Sequence, residues 1–163
     1  MDTAERKQLI ESYRTAFDEF EAALAAIPQE AWLFRPAPGE WSVHEVIIHL
    51  ADSETNSFLR ARRLVADPEL PLMAYDQDAW AVKLDYHSEN TAAALALTCQ
   101  VRAMTYDFIK DLPDEVWANV GIHPEYEDPY TFERWLRIYA NHPRQHAGQI
   151  NENHRLWKEQ QGS

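Results

Sequence analysis

Near its carboxyl end the chain reads Asn141-His142-Pro143-Arg144-Gln145-His146-Ala147-Gly148-Gln149-Ile150. The pattern of residues 131–156 predicts a helix whose inward positions, three and four apart, are Trp135, Tyr139, His142, His146, Gln149, Asn153 and Leu156. Two histidines and two amides therefore stand where Leu or Ile is usual. A buried polar group without a partner costs roughly 1 to 3 kcal/mol, so these side chains need partners. A metal ion with its bound water is the simplest one, and amides or carbonyls alone are the alternative.

His142 and His146 are four residues apart, which places both imidazoles on one helical face. Spacing alone is weak evidence, because a chain of this length with seven histidines often contains such a pair by chance. An open metal site needs a third ligand from elsewhere, and the candidate is His49. If its helix is antiparallel to that of the pair, the three imidazoles lie at similar height. His49 stands on the flank of its apolar face, where a solvated histidine is the commoner outcome.

Three further amphipathic helices are predicted before this one. The first covers residues 2–27, with apolar positions three and four apart. The second begins at Ser42, which can form a capping box with Glu45, and runs to about Ala66. The third covers residues 88–110, and its expected seam consists of Ala94, Leu97, Val101, Met104 and Phe108.

These patterns predict an all-α fold, a four-helix bundle in a single domain over residues 1–163. The fourth helix is expected over residues 131–158. Pro143 should either kink it or start a fresh helix near His142, because proline lacks an amide donor and crowds the preceding turn. About twenty residues, 68–87, form a long loop between helices 2 and 3, a length typical of a crossover or a lid.

Composition limits the function classes. The 27 acidic and 15 basic residues give a net charge of −12, which repels polyanions and argues against nucleic acid as a partner. Neither a signal peptide nor an apolar run long enough for a membrane span is recognised, so a cytoplasmic location without a membrane partner is expected. Cys99 lies in an apolar run and is expected to be an inert core thiol. Surface or loop positions are expected for His44, His87, His123 and His154.

Two stretches carry a family resemblance: WSVHEVIIHLADSE at residues 41–54 and HPRQHAGQI at residues 142–150. They resemble the two motif halves of the DinB-like (DinB/YfiT) superfamily, and RPAPGEW at residues 35–41 resembles that family's entry into its second helix. The resemblance implies up-down-down-up topology, a frequent homodimer, and a divalent ion held by His49, His142 and His146. Two features depart from the family pattern, namely Pro143 and the segment Glu127-Asp128-Pro129.

The resemblance implies several activities, including transfer of a low-molecular-weight thiol cosubstrate and hydrolysis of a small-molecule substrate. Three neutral imidazoles suit Zn, Ni or Fe and leave positions open for water or a thiol. Catalytic candidates are Glu45 and Asp52, as a general base or as a partner of His49, and Gln149 is expected to orient His146. Tyr75 and Trp80 of the long loop could line a pocket. The alternative function is a non-catalytic, metal-stabilised dimeric module of a stress response.

Overall fold

The structure, a computed structural model, describes residues 1–162. Its α-helices are α1 (Thr3–Ala25), α2 (Val43–Ala66), α3 (Gln77–Lys83), α4 (Thr91–Ile109), α5 (Phe132–Tyr139) and α6 (His142–Gln161). Short 3-10 turns occur at Gln29–Ala31, Tyr86–Ser88 and Asp114–Ala118. The strands β1 (Val120–Gly121) and β2 (Tyr130–Thr131) form one small antiparallel pair. None of the helices described is both long and apolar enough to cross a membrane.

Helix α1 runs in the same direction as the α5–α6 segment. Near the beginning of α1, Glu5 accepts a hydrogen bond from Arg137 Nη1 at 2.5 Å. Further along, Glu19 accepts from Arg144 Nε at 2.8 Å. Contacts that advance together on both elements show that they lie side by side and parallel.

Helix α2 is parallel to α4. At their beginnings, a ring nitrogen of His44 lies 3.0 Å from the Glu89 carbonyl oxygen. Midway along both helices, Arg102 Nη1 donates to Glu54 Oε1 at 2.7 Å. Two parallel helices need a connection that leads from the end of the first back to the level of its start. The long segment that contains α3 connects α2 to α4 in this way.

Helix α2 is antiparallel to α6. The Trp41 carbonyl, just before α2, accepts from Asn153 Nδ2 at 2.8 Å, whereas Glu54 in mid-helix approaches the first turn of α6 at His142. With the two parallel pairs, this gives the up-down-down-up four-helix bundle and confirms the expected fold class.

The ends of the helices follow local sequence signals. Ser42 and Glu45 form the predicted capping box at the start of α2. Helix α4 begins later than expected, because Asn90 caps it through the Ala93 amide and Ser88 belongs to a 3-10 turn. A fresh helix does start at His142, and its proline occupies the first turn, where no amide donor is needed.

The expected seam of α4 is right at Ala94 and Val101, which are buried, and wrong at Leu97 and Met104. Leu97 and Met104 are 47% and 56% exposed. The buried face instead carries Ala94, Thr98, Val101, Arg102, Thr105 and Ile109. The apolar pattern misled because a charged residue, Arg102, points into the bundle and pairs with buried Glu54. Cys99 is exposed for the same reason, so its assignment as a core thiol is also wrong.

The bundle has two apolar clusters with a polar layer between them. One cluster includes Phe20, Ile47, Leu50 and Ile150. The other includes Tyr13, Leu64, Trp135 and Leu136. Between them, α2 buries Ser53, Glu54 and Ser57. This polar layer is where the functional side chains meet.

Candidate metal centre

The three histidines singled out in the sequence come together in this layer. His49, His142 and His146 each offer a ring nitrogen, and these atoms all lie within 4.8 Å of one another. The ring centroid of His49 is 5.5 Å from that of His142 and 4.9 Å from that of His146. His49 is only 2% exposed, so it is not the solvated histidine that its flank position allowed.

Hydrogen bonds on the far side of each ring orient the α6 pair. The Nδ1 atom of His142 lies 3.5 Å from Glu54 Oε1, and Nδ1 of His146 lies 2.8 Å from Gln149 Oε1. Both partners are acceptors, so each Nδ1 carries the proton and each Nε2 carries a lone pair. The two Nε2 atoms face each other at 3.1 Å. Lone pairs at that distance repel unless a proton or a cation lies between them.

Burial keeps His49 and His146 neutral. Burial, together with the neighbouring His146 and His142, lowers the pKa of His49 to about 2. Burial and the proximity of His142 lower the pKa of His146 to about 4. Neutral imidazole is the form that binds a metal ion. The buried Nδ1 of His49, which has no hydrogen-bond partner, adds a further polar atom that the chain leaves unsatisfied. The donor set therefore fits a divalent ion such as Zn, Ni or Fe.

Glu54 was missed by the sequence reasoning. It is fully buried, accepts from Arg102 Nη1 at 2.7 Å and from the Tyr13 hydroxyl at 3.4 Å, and faces His142. Burial acts to raise its pKa, but the Arg102 charge and His142 outweigh burial and lower it, so Glu54 is a carboxylate. Its position seven residues after Ile47 is on the inward seam of α2, and that spacing could have identified it.

The side chain of Glu45 binds groups near the start of α2. It accepts from the Ser42 amide and from Arg35 Nε, both at 2.9 Å, and lies 3.1 Å from His87 Nε2. Burial acts to raise its pKa, but the hydrogen bonds from Arg35 and Ser42 prevail and lower it to about 2. Among residues 1–162, no hydrogen bond joins Glu45 to the histidine cluster.

Asp52 faces away from the cluster toward another cavity, of about 240 Å³, where it accepts from the Tyr86 hydroxyl. Burial raises its pKa. Within the described part of the chain, its side chain makes no hydrogen bond to the three histidines. Gln149, by contrast, makes the hydrogen bond to His146 that the sequence reasoning expected.

The other histidines lie outside the cluster. His44 and His87 lie near the start of α2, and His154 lies beside Trp157. His123 is in a loop, as expected, but it is 5% exposed and not at the surface. Its ring packs against Tyr126 and Tyr130, with centroid distances of 4.7 and 4.9 Å.

Two cavities open beside the cluster. The larger, about 530 Å³ and called here the His142 cavity, is lined by residues that include Ser53, Tyr75, Tyr139 and His142. The smaller, about 230 Å³ and called the His146 cavity, is lined by residues that include Trp41, His146 and Gln149. Gln77 at the start of α3 borders both. Tyr75 thus lines a cavity as expected, whereas Trp80 packs against Tyr75 at 4.5 Å between ring centroids.

Comparison with known proteins places this arrangement in a family. The profile of the DinB superfamily matches residues 12–150, which include all three histidines. The chain belongs to the DinB superfamily. The solved structure of YfiT from Bacillus subtilis superposes with a TM-score of 0.88 at 22% identity, covering 97% of this chain and 90% of that one. It is described as "a probable metal-dependent hydrolase with an unusual four-helix bundle topology", and the likeness shows the shared fold.

Relatives found by sequence comparison carry similar names. The Bacillus subtilis protein "Putative metal-dependent hydrolase YfiT" is 28% identical over 114 residues, which are 70% of this chain and 64% of that protein. A Bacillus licheniformis protein with the same general name is 25% identical over 150 residues, 91% of this chain and 85% of that one. The match to the first relative therefore spans somewhat less than two thirds of that relative's length.

Proposed function

We propose that the protein is a divalent-metal-dependent hydrolase of a small-molecule substrate, with His49, His142 and His146 as the metal ligands. The convergence of three imidazoles, two of which face each other with Nε2 atoms 3.1 Å apart, carries this proposal. The names of the DinB relatives support the hydrolytic class. A divalent ion held by these three residues would lower the pKa of a bound water or thiol, and this would supply a nucleophile near neutral pH.

The chain's own groups prepare the site before any ligand arrives. Glu54 accepts from His142 and Gln149 accepts from His146, so both imidazoles are held in one tautomer and one orientation. Arg102 keeps Glu54 ionised in the core. Glu45 and Asp52 remain proposed as general bases, each to be tested by an amide substitution.

Thiol transfer is the second candidate function. It is favoured by the presence of two cavities, one beside His142 and one beside His146, which give room for two reactants on either side of Gln77. A low-molecular-weight thiol would occupy one cavity and an electrophile the other. Hydrolysis of 4-nitrophenyl acetate and conjugation of a small thiol to monobromobimane, measured side by side, distinguish the two reactions.

Metal content tests the site itself. Protein purified without a histidine tag is expected to contain close to one divalent ion per chain, and His142→Ala should lose most of it. His154→Ala is the matched control, because His154 lies on the same helix and outside the cluster. Full metal retention in His142→Ala, or a wild-type protein with far less than one ion per chain, contradicts the proposal.

The non-catalytic alternative makes the ion a structural support. Chelation should then lower the melting temperature strongly. Chelation of a catalytic ion, by contrast, should leave the fold intact and abolish turnover.

We also propose that the chain is one domain, cytoplasmic and a homodimer. Light scattering of the purified protein measures the oligomeric state, and a mass of 19.0 kDa would contradict the homodimer.

A further inference from the structure

Arg60 on α2 is a buried cation whose hydrogen bonds all go to neutral groups. The residue is 9% exposed. Its Nε and Nη2 atoms donate to the Met73 carbonyl at 3.0 and 2.6 Å, and its Nη1 donates to the Tyr139 hydroxyl at 3.0 Å. Among residues 1–162, no carboxylate forms an ion pair with it.

The other buried arginines do have acidic partners. Arg102 pairs with Glu54, and Arg6 pairs with Asp114. The chain has 27 acidic residues, so an unpaired buried guanidinium does not reflect a shortage of carboxylates. Because a buried charge without a counter-charge is unfavourable, Arg60 is expected to take its counter-charge from outside the chain.

Arg60 borders two cavities, and one of them is the His142 cavity. Arg60 lines that cavity together with His123 and Tyr139. Burial lowers the pKa of His123, and the Arg60 charge adds to this effect. The Tyr139 ring lies between the two ends of the cavity, because its hydroxyl bonds Arg60 and its centroid is 5.7 Å from that of His142. A small molecule can therefore reach both Arg60 and the histidine cluster.

The donors that remain on Arg60 match a carboxylate. A guanidinium has five N–H donors, and three are used on Met73 and Tyr139. The remaining two are on different nitrogens, one on Nη1 and one on Nη2. A carboxylate offers two oxygens to such a planar pair and forms charge-assisted hydrogen bonds with both.

We propose that the His142 cavity binds a small-molecule substrate that carries a carboxylate, with Arg60 holding the carboxylate and the reacting group lying at the histidine cluster. The inference rests on the proposed function in that it takes this cluster as the reaction site. Asp76 and Glu125 also line the cavity, but both are exposed and neither pairs with Arg60. They leave the guanidinium available.

Binding of benzoate and of its neutral isostere benzamide, at constant ionic strength, tests the proposal. Chemical-shift titrations should be made on the metal-loaded protein and on the chelated protein. In the chelated protein, benzoate is expected to bind at least about tenfold tighter than benzamide, since hydrogen bonds to a charged pair contribute that much. Arg60→Gln should remove this preference. Arg63→Gln is the matched control, because Arg63 lies on the same helix and outside this cavity, and it should retain the preference.

Equal binding of benzoate and benzamide to the wild type overturns the proposal, and so does a preference that survives Arg60→Gln. If Arg60→Gln does not fold, Arg60→Lys keeps the charge without the planar pair of donors, and an unchanged preference there overturns the assignment. If phenyl phosphate binds more tightly than benzoate, the group that Arg60 binds is a phosphate, and the assignment of a carboxylate is overturned. Benzoate binding is measured on the chelated protein and does not depend on bound metal. A failure of the carboxylate proposal is therefore distinguishable from a failure of the proposed reaction, which is tested by metal content and turnover.

Discussion

Glu54→Gln tests how the site is built into the core. The substitution keeps the shape of the side chain and removes its charge, so Arg102 loses its counter-charge and His142 loses a charged acceptor. Breaking a buried pair costs roughly 3 to 5 kcal/mol, and the glutamine oxygen can still accept from Arg102, which reduces the cost to about 2 to 3 kcal/mol. At this chain length that corresponds to a melting temperature lower by roughly 5 to 10 °C. Metal affinity should fall by roughly 10- to 100-fold, because His142 is less firmly oriented.

Two measurements separate these effects. Thermal unfolding in the presence of a chelator reports stability without the contribution of bound metal. Competition with a chelator of known affinity then reports metal binding. Glu152→Gln is the control, since Glu152 forms an exposed pair with Arg155 and should change neither quantity appreciably. If Glu54→Gln matches the wild type in both measurements, the view of Glu54 as the support of His142 is wrong.

Three further predictions concern the capping box, the exposed thiol and the proline of α6. Glu45→Gln should cost about 1 kcal/mol at neutral pH, because the ion pair to half-exposed Arg35 is lost while the glutamine oxygen can still accept from the Ser42 amide. Since the pKa of Glu45 is lowered from 4.5 to about 2, the contribution is present above pH 4.5, and the gap between wild type and variant in urea titrations should close as the pH falls toward 2. A gap that stays constant over that range would contradict this. Cys99 should react with iodoacetamide in the native protein nearly as fast as in urea, with Cys99→Ser as the control; reaction only after unfolding would restore the core assignment. Pro143→Ala should lower stability by about 0.4 to 1 kcal/mol, through the freer unfolded chain, while metal affinity is retained; a large loss of affinity would mean that the proline positions His142 directly.

The sequence predicted the parts of the fold that local chemistry controls. The capping box at Ser42, the irregularity at Pro143 and the four amphipathic segments each depend on residues within a few positions of one another. The convergence of the histidines needed the antiparallel arrangement of α2 and α6, which the family resemblance implied and periodicity alone left open.

The errors about the buried face of α4 and about Glu54 have one physical origin. The face of α4 was assigned from apolar spacing, but the interior at that level is polar, because Arg102 reaches across to Glu54. A charged residue at a core position looks like a surface residue when the partner on another helix is unknown. The partner of Arg102 lies 48 residues away, so no local pattern contains it. Glu54 was overlooked for the same reason, although its seam position was visible.

The metal site lies on helices, whereas the cavity beside it is lined partly by connecting segments. Metal affinity and substrate preference therefore depend on different parts of the chain. Helices α2 and α6 provide the three histidines as well as Glu54 and Gln149, and rigid helices hold such groups in place. The walls of the His142 cavity come partly from connecting segments, through Tyr75, His123 and Tyr126. Connecting segments tolerate change better than packed helices do. Substitutions in these walls should therefore alter substrate preference while metal affinity stays constant, and substitutions of Glu54 and Gln149, which orient the histidines, should alter both.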